Sequence, residues 1–89
     1  MKSHITKGFR KYLSDLPKDI QKQARKIYRL WKEDHYHSGL QFKQVSQRQS
    51  IYSVRVNLGY RALGLIADEE IYWFWISPHS EYDQLLKRL

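Results

Sequence analysis

The run IYWFWI, Ile71 to Ile76, contains only isoleucine and aromatic residues. A strand that is apolar at every position has no face to give to water. It must lie inside a sheet and be covered on both sides. The rest of the chain therefore has to supply neighbouring strands and something apolar for each sheet face. With 89 residues there is room for one domain and one core, so residues 1–89 are read as a single unit. Aromatics make up 15% of the chain, and such rings bury much area per residue in a core this small.

The first third provides helices. Thr6 precedes a segment in which Phe9, Tyr12, Leu13 and Leu16 fall on one helical face, and Thr6 is a suitable cap. The segment SDLPKDIQ restarts the chain. Pro17 fits the first position of a second helix, and Asp19 in its first turn complements the helix dipole. From there to about Lys32, Ile20, Ala24, Ile27, Tyr28 and Trp31 form one apolar stripe, with Lys and Arg covering the rest. Two amphipathic helices with a tight joint predict a helical hairpin.

Gly39, in EDHYHSGL, marks a loop, and strand-like segments follow it. QFKQV has Phe42 and Val45 as its inward members. IYSVRVNL alternates, with Tyr52, Val54, Val56 and Leu58 on one side and Ser53, Arg55 and Asn57 on the other. NLGY predicts a hairpin turn in which Gly59 takes a positive φ. Tyr60 to Ala67 returns, ADEE turns again, and Ile71 to Ile76 is the last strand. Ser80 and Asp83 fit an S-x-x-D cap for a short final helix, with Lys87 and Arg88 at its negative end. The fold class expected is α+β: an N-terminal helical hairpin packed on a mostly antiparallel sheet of about four strands, with a short C-terminal helix.

The net charge of +7 is unevenly placed. Residues 1 to 32 hold ten Lys/Arg against two Asp, a balance of +8; the remainder holds six against seven, a balance of −1. A basic lobe suits a polyanion or an acidic protein partner, although solvated helix faces give the same count. There is no cysteine, hence no disulfide framework and no thiolate zinc site. No apolar run reaches the length of a membrane span, and a soluble, cytoplasmic protein is expected. His35 and His37 at i, i+2 make a weak metal motif, because no further spaced ligands accompany them. Trp73 and Trp75 alternate and are read as core in preference to base-stacking platforms.

Four segments at consistent spacing carry a family resemblance: YLSDLP, HSGLQFK, YSVRVNLGYRAL and WFWISPHSEYDQLL. The ordered set resembles the RelE/ParE toxin superfamily of bacterial type II toxin–antitoxin systems, and it is especially similar to a short ParE-like branch. The resemblance implies a toxin component neutralised by a cognate antitoxin protein. It implies no metal and no organic cofactor. For the target it leaves two classes open. RelE-like members are endoribonucleases that cut mRNA on the ribosome; ParE-like members inhibit DNA gyrase and do not cut RNA. A non-catalytic antitoxin-binding module is a third possibility.

Metal-free RNA cleavage requires a base for the 2′-OH proton, an acid for the leaving 5′ oxygen and cations for the phosphorane. On that reading the catalytic candidates are His79, Arg61 and Tyr82, and the substrate-binding candidates are Arg55 and Lys43. His79 follows Pro78 at the start of the last helix, and imidazole titrates near neutrality. Arg55 and Arg61 flank the hairpin turn, where guanidinium forks suit phosphate; cross-strand pairing with Glu69, Glu70 or Asp83 is the competing role. Tyr82 shares an apolar stripe with Leu85, Leu86 and Leu89, which favours packing with its hydroxyl at the rim. Lys43 follows HSGLQF and approaches the same groove.

Overall fold

The computed structural model describes residues 1–46 and 48–89. In chain order the elements are β1 (Lys2–Ile5), α1 (Lys7–Ser14), α2 (Lys18–Glu33), a short 3-10 turn (Ser38–Leu40), β2 (Lys43–Gln44), β3 (Ile51–Asn57), β4 (Tyr60–Ala67), β5 (Glu70–Pro78) and α3 (His79–Arg88). Three helices and one five-stranded sheet give the α+β class. The strand order is β1-β5-β4-β3-β2. All pairings are antiparallel except β1 with β5, which is parallel. The fully apolar strand is thus flanked on both edges. The count of about four strands falls one short. The segment Lys2–Ile5, polar at three of its four positions, shows no inward pattern of its own and is held as a strand by its pairing with Glu70–Trp73.

Helices α1 and α2 cover one sheet face. Thr6 caps α1 as expected: its Oγ1 accepts from the Phe9 N–H and donates to the Trp73 carbonyl at 2.8 Å, tying the cap to β5. Pro17 stands one place before α2, at the N-cap. The joint is closed by Gln21, whose side-chain amide donates to the Leu16 carbonyl. Phe9 and Leu13 of α1 share one core cluster with Ala24, Ile27 and Tyr28 of α2. Their apolar residues, Phe9, Ala24 and Trp31, pack on Val54, Val56, Ala62, Ile71, Trp73 and Ile76. Burying the valine, isoleucine and phenylalanine side chains stabilises the fold by about 1.5–3 kcal/mol each.

The opposite face is covered in part by α3. Ile51, Leu63 and Tyr82 are its buried centre, with Phe74, Trp75, Leu85 and Leu86 around them. Trp73 and Trp75 therefore face opposite sides, not one. The β4–β5 register slips between Leu63 and Gly64, where Trp75 opposes Leu63 and Trp73 opposes Gly64. The extra residue, Phe74, reverses the alternation.

Both hairpin turns stand where expected, but the positive φ does not fall on Gly59. Gly59 has no positive φ, and Leu58 is 83% exposed. The β3–β4 turn is closed by Asn57, whose Oδ1 accepts from the Gly59 N–H, and a register shift lies beside it between Arg55 and Asn57. The left-handed pair sits instead at Asp68 (φ 52) and Glu69 (φ 65), the two-residue β4–β5 loop. Helix α3 begins one residue after Pro78, with no side-chain cap from Ser80. Among the described residues no helix is long and apolar enough to cross a membrane.

Candidate functional site

Where β5 ends and α3 begins, the chain passes the β3–β4 turn: the His79 N–H donates to the Gly59 carbonyl at 2.8 Å. This bond sets the first turn of α3 beside Arg61, early in β4. Across from them, the segment after the 3-10 turn brings in Gln41, Lys43 and Gln44. Between these elements lies a cleft of about 440 Å³. Lys43, Arg61, His79 and Tyr82 all line it, together with Ser53 and Asp83. Four of the five candidate site residues thus meet in one place. Arg55 is not among the lining residues.

Arg61 is half-buried. Its Nη1 donates to the Asn57 carbonyl at 2.7 Å and to the Tyr60 carbonyl at 3.0 Å. That fixes the guanidinium plane without neutralising it, and among the described residues Nε and Nη2 have no partner. No carboxylate pairs with it there, so the competing ion pairs with Glu69, Glu70 or Asp83 are not made. Arg55 is its cross-strand partner on the same sheet face. Like charges placed directly opposite are mutually unfavourable, and an anion between or beside them relieves the repulsion.

His79 is exposed, and its Nδ1 lies 3.1 Å from Asp83 Oδ2, one helical turn on. A carboxylate on Nδ1 orients the ring and leaves Nε2 available to a proton donor or acceptor. Asp83, expected to serve the cap, instead holds the imidazole. Tyr82 is 6% exposed, and its hydroxyl donates to Ser53 Oγ at 3.3 Å. Its ring is a wall of the cleft and a member of the α3 core, as the apolar stripe implied.

Three uncharged polar residues of the lining lay outside the sequence-based set. Ser53 is 2% exposed; its cross-strand neighbour is Leu63, and among the described residues its side chain has a polar contact only with the Tyr82 hydroxyl. Gln41 sits at the end of the 3-10 turn with φ 48, an uncommon conformation for a residue with a β-carbon. Gln44 donates to the Ser46 carbonyl and ties down the loop after β2. None of these carries a signal in the sequence, since each depends on where the loop lands. The two loop histidines are engaged locally. His35 stacks on Trp31 and its Nδ1 contacts the Trp31 carbonyl; His37 Nδ1 accepts from the Gly39 N–H.

The model of the ParE-like toxin domain matches residues 18–84, three quarters of the chain and nearly all of the sheet and cleft. The chain belongs to the ParE-like toxin domain family. Among solved structures, the ParE-like domain is similar to the RelB–RelE antitoxin–toxin complex from Methanococcus jannaschii, with a TM-score of 0.72 at 20% identity, covering 91% of this chain and 96% of that one. It is also similar to a copper-bound mutant toxin from Helicobacter pylori, with a TM-score of 0.61 at 17% identity, covering 91% and 97%. At these identities the likeness concerns the fold. A search of curated protein sequences finds no match.

Proposed function

We propose that this ParE-like domain is the toxin component of a toxin–antitoxin pair, and that the cleft beneath the N-terminus of α3 is an RNA-cleaving site. The observation that carries this reading is the convergence of Lys43, Arg61 and His79 on one polar cleft, with Arg61 Nε and Nη2 uncommitted among the described residues. The toxin role rests on the family match, and the antitoxin partner on that match together with the fold's likeness to a complex of that kind. The basic α1–α2 lobe suits an acidic antitoxin segment.

The chemistry can be written with the chain, its RNA substrate and water. His79 Nε2, with Nδ1 held by Asp83, takes the proton of a ribose 2′-OH. The 2′ oxygen attacks the adjacent phosphorus, and the P–O5′ bond breaks as a 2′,3′-cyclic phosphate forms. Arg61 and Lys43 balance the charge that builds on the equatorial oxygens. The cleft holds one imidazole, so the departing 5′ oxygen takes its proton from the Lys43 ammonium or from water. DNA has no 2′-OH and is not a substrate for this step.

The test is cleavage of labelled mRNA in a translating extract. His79→Ala and Arg61→Ala are each expected to slow cleavage by about 10²–10⁴. A second reading rests on the family model being the ParE-like one: inhibition of DNA gyrase without RNA cutting. Intact mRNA accompanied by gyrase-dependent DNA breaks would select that reading and remove the nuclease.

A further inference from the structure

We propose that Gln41 is the specificity-determining residue of the cleft, and that the base it selects, next to the scissile phosphate, is adenine. The inference rests on the nuclease reading of that cleft. The cations and the imidazole there address phosphate and the 2′-OH, which every nucleotide carries, so sequence has to enter through another group.

Gln41 lines the cleft together with Lys43, Arg61 and His79. It stands two positions before Lys43, so the two backbones are at most about 7 Å apart. A nucleotide whose phosphate is held by Lys43 and Arg61 therefore carries its base into the neighbourhood of Gln41. The chain around it is fixed. Leu40 and Phe42, on either side, are 0% and 8% exposed, whereas Gln41 is exposed. Phe42 packs against the rings of Trp31 and Tyr52, and the Leu40 N–H donates to the His37 carbonyl at 3.0 Å. With both neighbours buried, the backbone at Gln41 has little freedom left to lose when a ligand arrives.

The side chain of Gln41 does not steady this loop by hydrogen bonding. The local bonds run from Tyr36 to Asp34, from Gly39 to His37 and from Gln44 to Ser46, and among the described residues none uses the Gln41 amide. Gln44, the other carboxamide of the lining, already donates to the Ser46 and Gln49 carbonyls. Yet Gln41 is held at φ 48 and ψ 44, a left-handed conformation that glycine adopts freely and a residue with a β-carbon adopts at a cost. A long polar side chain kept at such a position, with no partner there, points to a use outside the folded chain.

A carboxamide presents a donor and an acceptor side by side in one plane. Adenine matches that pair on both of its edges, through N6–H with N1 and through N6–H with N7. The Hoogsteen edge of guanine offers two acceptors, and the pyrimidines offer a matching pair only on the Watson–Crick edge. Adenine is thus the one base that the amide accepts in either orientation.

The test measures cleavage, in a translating extract, of labelled mRNAs that differ only in the base on one side or the other of a single cut site. The parent chain should cut the adenine substrate faster than the other three by about tenfold. In Gln41→Gly that ratio should fall to about one, with Tm unchanged or raised, because glycine relieves the left-handed backbone. Purine riboside in place of the adenosine lacks the 6-amino group and should lose the advantage with the parent chain. The proposal is overturned, with the nuclease reading left standing, by equal rates on all four bases, by preference for another base, by a preference that survives in Gln41→Gly, or by one indifferent to the 6-amino group. A preference lost together with a lowered Tm also overturns it, since Gln41 would then be shaping the loop. If the parent cuts none of the RNAs and matches His79→Ala, the nuclease reading fails and takes this inference with it.

Discussion

Removing one oxygen, in Tyr82→Phe, separates the structural role of Tyr82 from a chemical one. The hydroxyl donates to Ser53 Oγ across 3.3 Å, between residues 6% and 2% exposed. Phenylalanine keeps the ring among Ile51 and Leu63 but leaves the serine oxygen buried without its donor. A neutral hydrogen bond contributes about 1 kcal/mol net, and an orphaned buried group costs about 1–3 kcal/mol. The bond is long for two hydroxyls, which puts the expected loss near the lower end, about 1–1.5 kcal/mol. For a domain of this size each kcal/mol lowers Tm by about 4–8 °C. Thermal and urea unfolding of the purified chain would read this directly. Ser53→Ala should cost less, about 0.5–1 kcal/mol, because the tyrosine hydroxyl it strands borders the open cleft. The double variant should be no less stable than Tyr82→Phe alone, a coupling of about 1 kcal/mol. RNA cleavage by Tyr82→Phe should stay within about threefold of the parent, since full acid–base roles are worth about 10²–10⁴. Unchanged stability with cleavage down tenfold or more would refute the reasoning, and would give the hydroxyl to the substrate.

Three further outcomes follow from particular contacts. A Cβ on Gly64 would lie 2.8 Å from two side-chain carbons of Ile71 and 2.9 Å from Trp73, so Gly64→Ala should cost about 2–3 kcal/mol in urea unfolding, and adding Ile71→Val should recover part of it; a neutral Gly64→Ala would contradict the packing described. Asp68→Asn with Glu69→Gly supplies residues suited to the left-handed pair in the β4–β5 loop, and should raise stability by about 1 kcal/mol, seen as a higher Tm; a lower Tm would mean those two side chains hold the turn in another way. Lys43→Ala should weaken binding to a non-cleavable RNA and reduce the slope of log affinity against log salt by about 1. An unchanged slope would place Lys43 away from any phosphate.

The long periodic segments were legible because each carries its own pattern. The helical stripes of α1 and α2, the return strand Tyr60–Ala67 and the apolar run of β5 stand where their spacing puts them. What the sequence hid depends on partners distant along the chain. The mostly polar β1 is a strand because β5 lies beside it. The slip that reverses Trp75 requires Gly64 opposite Trp73, where no side chain fits. At the turns, glycine's freedom made Gly59 the expected positive-φ residue, yet a bond to the Asn57 side chain closes that turn without one, and the positive φ values lie in the other hairpin at Asp68 and Glu69. The same division holds at the cleft. Arginine, lysine and histidine announce themselves by chemistry. Ser53, Gln41 and the Asp83 contact to His79 are products of the fold.

The split of charge across the sheet bears on how the two faces can act. The α1–α2 face carries most of the positive charge on exposed helical positions, where salt screens it within about 10 Å. The cleft face has few cations, but Arg61 is half-buried and anchored by two carbonyls, and Arg55 stands opposite it across the strand pair. A guanidinium fixed in this way loses little freedom when a phosphate arrives, whereas a lysine on a helix surface must be ordered each time. The helical lobe therefore suits long-range attraction of a polyanion or an acidic partner, and the cleft suits the short-range positioning that chemistry requires. Sparse charge on the strands, which argues against turnover when cations are simply counted, is compatible with it once the anchoring of Arg61 is included.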